Sequence, residues 1–117
     1  MHFVISTTWG PTDITRAAIP FVFADTALNA GDTVMIMLFH DAVSIAVQGV
    51  HPKMVPFGPP ARFEEVINHP NAQIIVCKPC AEVRGIEASM LVKNTAFGGM
   101  NELHAQVSRP DAKMITF

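Results

Sequence analysis

Nearly every position is apolar in three short runs, around Val4-Ile5, from Val34 to Phe39, and at Ile74-Ile75-Val76. Such runs lack the alternation of a half-exposed strand and predict strands covered on both faces, as in parallel sheets. The expected strands are residues 2–8, 33–39 and 74–77, with a last one at 113–117. Between them the apolar residues recur at helical spacing. Ile14, Ala17, Ala18, Phe21, Val22 and Leu28 predict a helix ending near Asn29, capped by Thr12 or Asp13. Pro20 falls inside that pattern, so a kink or a broken first turn is expected there. Residues 42–48, 79–84 and 100–108 read as further helices, as does a segment opened by Pro60 or Ala61 and ending near Asn68. Residues 50–60, punctuated by Pro52, Pro56, Pro59 and Pro60, predict a loop. Residues 87–93 fit helix and strand equally well, and 95–99 read as loop.

Strands that alternate with helices through short turns form right-handed βαβ units, which build parallel sheets with helices on the faces. The expected fold class is therefore α/β: a three-layer α/β/α sandwich around a mainly parallel, about five-stranded sheet. A length of 117 residues suits one domain spanning residues 1–117.

Composition adds an expectation about assembly. Half of the residues are hydrophobic and only 15% are charged, an apolar balance for so small a domain. Some of that apolar surface is expected to be buried between copies, so the chain reads as a homo-oligomer. A net charge of −2 without clustered Lys and Arg argues against nucleic acid as a direct partner. No apolar stretch reaches the ~20 residues of a membrane-spanning helix, so no membrane is expected. No basic-then-apolar leader precedes the first strand, and a cytoplasmic location is expected. In a reducing cytosol, the two cysteines are better read as catalytic or redox-active than as a permanent crosslink.

Both cysteines lie in Cys77-Lys78-Pro79-Cys80, directly after the β-branched run. Pro79 suits the first turn of a helix and Gly85 suits its left-handed end, so Cys77 is expected where a buried strand meets a helix start. The free N–H groups there favour thiolate over thiol, which predicts a reactive Cys77 that labels faster than Cys80. The alternative is that both cysteines merely pack as small hydrophobes. No second cysteine pair exists to complete a zinc site, and Thr8-Trp9-Gly10-Pro11 lacks the glycine pattern of a dinucleotide or P-loop site. No metal and no cofactor is expected. In an open parallel sheet ligands bind beyond the carboxyl ends of the strands, which here carry Thr8, His40 with Asp41, and Cys77. Thr8 or Asp41 can instead serve as helix caps, His40 as a loop hydrogen-bonder, and Trp9 as a packing anchor.

The stretch Cys77-Lys78-Pro79-Cys80-Ala81-Glu82-Val83-Arg84-Gly85-Ile86 resembles the DsrE/DsrF-like sulfur-relay proteins. Their signature is a cysteine at the end of a central strand, followed seven and eight residues on by Arg-Gly and then an aliphatic residue. The resemblance extends to the N-terminal strand, to Phe39-His40-Asp41-Ala42-Val43 after the second strand, and to a C-terminal strand closing on Phe117. It implies a three-layer domain of flavodoxin-like appearance, a trimer or a hexamer built from two trimers, and a sulfurtransferase or sulfur carrier that holds a persulfide on Cys77. Cys80 would be the family's optional second cysteine, and the partners would be sulfur donor and acceptor proteins. A thiolate that accepts sulfur needs cationic or N–H donors, which Lys78, Arg84 and the helix start can supply. Arg84 can instead pair with Glu82 or Glu87 at the surface.

Three functions follow for this site. One is sulfur relay through Cys77, with Cys80 and Arg84 assisting and Thr8, His40, Asp41 and Lys78 contacting what binds. The second is a Cys77/Cys80 dithiol–disulfide redox pair, since Cys-x-x-Cys with a proline before the second cysteine resembles thioredoxin-like tetrads. The third is a non-catalytic oligomeric binding module.

Overall fold

The computed structural model describes residues 1–58 and 62–117; the helix start expected at Pro60 or Ala61 lies outside them. Five parallel strands, β1 (His2–Thr7), β2 (Thr33–Leu38), β3 (Ala72–Cys77), β4 (Thr95–Gly98) and β5 (Ala112–Thr116), form one sheet in the order β4-β3-β2-β1-β5. The register aligns Ile5, Ile36 and Ile74 across the three inner strands, and all three are buried. This is the physical meaning of the unbroken apolar runs: each inner strand is covered above and below.

Among the described residues four α-helices connect the strands: α1 (Ile14–Asn29), α2 (Phe63–Ile67), α3 (Lys78–Glu82) and α4 (Met100–Val107). Neighbouring residues of a strand point to opposite faces. Phe3 of β1 packs edge-on against Phe23 of α1, whereas His2, one residue earlier, hydrogen-bonds through Nε2 to Gln106 of α4 at 2.7 Å. The two helices therefore lie on opposite faces, and the sandwich has three layers. Crossover handedness gives the same division. The steps from β1 to β4 all run in one direction and place α1, α2 and α3 on one face, while the return from β4 to β5 reverses direction and places α4 on the other.

Several boundaries differ from the sequence pattern. Pro20 does not divide α1: the helix is continuous, Asp13 caps it by accepting the Arg16 N–H, and Pro20 is buried between Ala17, Ala18, Phe21 and Ala24 on the core side. Packing of that face outweighs the one hydrogen bond that a proline removes. The helix expected at residues 42–48 is a 3-10 helix at His40–Ala46, and the ambiguous segment 87–93 contains a single 3-10 turn at Ala88–Met90. Another 3-10 turn, His51–Lys53, interrupts the loop expected at 50–60. The expected loop at 95–99 is instead β4, an edge strand paired only to β3. Four residues flanked by glycine carry too little periodicity to mark a strand, and only the partner strand defines it. The cysteine-bearing strand β3 is not central, since β2 holds the middle of the sheet. Among the described residues no helix is long and apolar enough to cross a membrane.

Candidate functional site

Cys77 ends β3 and is the N-cap residue of α3, with Lys78 and Pro79 in the first turn and Cys80 three residues on. After α3, Gly85 adopts φ +68°, the left-handed geometry expected there. The strand-to-helix junction is thus as the sequence predicts, but its effect on the thiol is not. Cys77 is 7% exposed, whereas Cys80 is half-buried. Burial pushes the Cys77 thiol above its ordinary pKa, hydrogen bonding to the Cys80 thiol raises it further, and the Cys80 backbone N–H offsets only part of this. The helix start does not produce a lowered thiol here, because a five-residue helix aligns few dipoles and desolvation penalises the charged form.

Arg84 pairs with neither Glu82 nor Glu87. Its Nε and Nη2 both donate to Asp41 Oδ1, at 3.2 and 2.7 Å, and Nη1 donates to the Cys80 carbonyl at 3.1 Å. One guanidinium therefore ties the cysteine-bearing turn to the segment after β2. The Arg84 hydrogen bond, helped by the lesser effects of the His40 and Arg84 charges, holds the Asp41 carboxyl below its ordinary range against the opposing effect of desolvation. Arg84→Ala is expected to lower stability only modestly, because the Asp41 carboxylate it pairs with is half exposed to solvent. It should also loosen α3, seen as faster amide exchange at Cys80 and Ala81. Unchanged exchange there would mean that the guanidinium does not hold the turn.

The strand ends form two clefts rather than one rim. The first, about 360 Å3, is lined by Thr8, Trp9, Gly10, Thr12, His40 and Asp41, so three expected contact residues do meet. His40 lies with Nδ1 3.5 Å from Asp41 Oδ2, and Trp9, expected as a packing residue, lies under the Arg16 guanidinium at 4.3 Å. Lys78 is not there; it lines a second cleft of about 540 Å3 with Pro79, Phe97, Gly98, Gly99 and Glu102. That cleft has a topological cause. β3 and β4 are adjacent but their following helices leave to opposite faces, which opens a crevice between the strand ends. Gly98 lines the crevice, and its register partner Cys77, although it ends the neighbouring strand, does not.

Sequence reasoning missed Gly98, Gly99 and Glu102 as part of this site. Glu102 Oε2 accepts the Gly99 N–H at 2.7 Å, which holds its carboxyl below the ordinary range. A Cβ on Gly98 would lie 2.5 Å from Ile75 Cγ2, so glycine is needed there for packing. The overlooked signal was Gly98-Gly99 with Glu102 three residues on, a helix-start pattern that also marks the end of a preceding strand.

With this architecture in view, comparison with known proteins becomes specific. The model of the DsrE/DsrF-like family matches residues 1–117. The chain belongs to that family. It is 30% identical over 120 residues to the uncharacterized protein MJ0989 of Methanocaldococcus jannaschii, covering 100% of both chains. It is also 30% identical over 99 residues to MK0008 of Methanopyrus kandleri, covering 82% of this chain and 78% of that one. Among solved structures, the ychN protein of E. coli superimposes with a TM-score of 0.83 at 21% identity, covering 100% of this chain and 99% of its own. MTH1491 of Methanobacterium thermoautotrophicum does so at 0.77 and 10% identity, covering 99% and 98%. These two likenesses carry the fold: a five-stranded parallel sheet between helical layers.

Proposed function

We propose that this DsrE/DsrF-like protein is a sulfur carrier that takes up sulfur as a persulfide on Cys77 and passes it to an acceptor protein. The observation that carries the reading is the position of Cys77, at the carboxyl end of β3 beside the crevice formed with β4. Family membership supplies the sulfur chemistry. Transfer from a donor persulfide is a thiol exchange without net oxidation: the Cys77 sulfur attacks the outer sulfur of the donor, the donor leaves as a thiol, and Cys77 gains one sulfur. Lys78 lies in the first turn of α3, where its charge favours a persulfide anion on Cys77, and Arg84 holds that turn through the Cys80 carbonyl. The clefts at Thr8, His40 and Asp41 and at Lys78 are where donor or acceptor would touch. Val83, Met100 and Met114 are exposed apolar side chains of the kind that a second copy would cover in a trimer or hexamer.

The test is loading with glutathione persulfide followed by mass spectrometry. The Cys80→Ser variant is expected to gain one sulfur at Cys77, and Cys77→Ser is expected to gain none. Loading that survives Cys77→Ser would overturn the assignment.

A second reading has its own support. Cys77 and Cys80 stand three residues apart at the N-cap and in the first turn of α3, a spacing that suits a dithiol–disulfide pair. A protein that forms the disulfide with oxidised dithiothreitol, yet never takes sulfur in the Cys80→Ser form, would be that redox protein instead.

A further inference from the structure

The relay reading leaves open how sulfur departs from a thiol as enclosed as Cys77. An acceptor protein would have to bring its own nucleophile to a residue that is only 7% exposed. Another nucleophile is already in place. Cys77 and Cys80 occupy the N-cap and third positions of α3, whose side chains meet on the same side of the first turn. That spacing also suits a disulfide, which needs Cα atoms about 5–6 Å apart.

Resting on the uptake of sulfur by Cys77 proposed above, we propose that Cys80 discharges Cys77 when no acceptor protein is docked, so that the sulfur then leaves the protein as sulfide. The Cys80 thiolate attacks the inner sulfur of the Cys77 persulfide, the S–S bond to the outer sulfur breaks, and hydrosulfide leaves with the electron pair. A Cys77–Cys80 disulfide remains. The outer persulfide sulfur is thereby reduced to sulfide and Cys80 is oxidised, while the Cys77 sulfur keeps its oxidation level, so the step balances without another oxidant. A dithiol reductant of the thioredoxin class resets the pair, becoming a disulfide itself.

Attack on the outer sulfur would instead move the persulfide to Cys80 and expel the Cys77 thiolate. Two observations disfavour that course. The Cys77 sulfur is buried, so its anion is a costly leaving group, and exchange rates fall as the leaving thiol becomes more basic. Hydrosulfide is a weaker base and leaves to solvent. Cys80, by contrast, is partly exposed and suited to the role of attacking thiolate. Arg84 holds the turn in place through the Cys80 carbonyl, which keeps the two sulfurs adjacent.

The experiment loads reduced protein with glutathione persulfide, removes small molecules by rapid desalting, and follows sulfide release and intact mass. Wild type is expected to release about one sulfide per chain without added reductant and to end two hydrogens lighter than the reduced protein. Cys80→Ser is expected to keep the added sulfur and release sulfide only when dithiothreitol is added. If wild type holds its persulfide as long as Cys80→Ser does, or if the added sulfur is found on Cys80, the discharge role is wrong while the relay reading stands. If Cys80→Ser never takes sulfur, the relay reading itself fails. Circular dichroism of both variants separates these outcomes from misfolding.

Discussion

Replacing Gly10 by alanine is expected to destabilise the protein by about 2–3 kcal/mol, lowering its thermal midpoint by roughly 10 °C. The loop after β1 passes so close to the segment after β2 that a Cβ on Gly10 would stand 2.5 Å from the Asp41 carbonyl oxygen and 2.8 Å from Asp41 Cβ. Both obstacles belong to Asp41 itself, and the oxygen is backbone, so no flexible side chain can swing aside. Room can be made only by moving one loop away from the other. That motion separates the two walls of the Thr8–Asp41 cleft and disturbs the carboxylate that Arg84 grips. Chemical denaturation measures the cost, and double-mutant analysis with Arg84→Ala measures the link. The two losses should fall short of additivity by at least half a kcal/mol, as contacting networks do. A Gly10→Ala protein as stable as wild type would mean that the two loops are not held in this contact.

Native-state alkylation at pH 7 is expected to modify Cys80 faster than Cys77, since burial both limits access to Cys77 and lowers its thiolate fraction. This reverses the order that the helix start alone would suggest. Exposure and protonation act together: Cys77 is enclosed, and burial raises its pKa from the ordinary 9.0. The pH dependence follows in sign. Cys77 labelling should still be rising above pH 9, the ordinary thiol value, because burial holds its pKa higher. Folding favours the protonated Cys77, so its contribution to stability is fully present below 9.0 and is lost as pH rises through the higher folded value. Peptide mapping after short pulses of iodoacetamide gives both rates. Faster labelling of Cys77 at pH 7 would show that its thiolate is favoured after all and would remove the leaving-group argument for sulfide release.

The arrangement also separates two roles that a motif merges. Arg84 falls at the family's offset from Cys77, yet its guanidinium is committed to Asp41 and the Cys80 carbonyl. It is a positioning residue for the cysteine turn. Lys78 has no ion-pair partner among the described residues and lines the crevice beyond β3 and β4 together with Glu102.

The apolar runs by themselves determined the strands β1, β2 and β3, because full burial of a parallel strand leaves no polar alternation to confuse the pattern. They also determined α1, and Pro79 with Gly85 bracketed the short helix after Cys77. What they left undecided were features whose physical cause lies in other parts of the chain. β4 is a strand because β3 pairs with it, and with β4 comes the crevice that holds Lys78 and Glu102. The partner of Arg84 is 43 residues away in sequence, so no local spacing could choose Asp41 over Glu82 or Glu87. The protonation of Cys77 was likewise out of reach. A helix start favours thiolate and burial favours thiol, and only the packed structure, which encloses Cys77 and sets Cys80 against it, decides that desolvation wins.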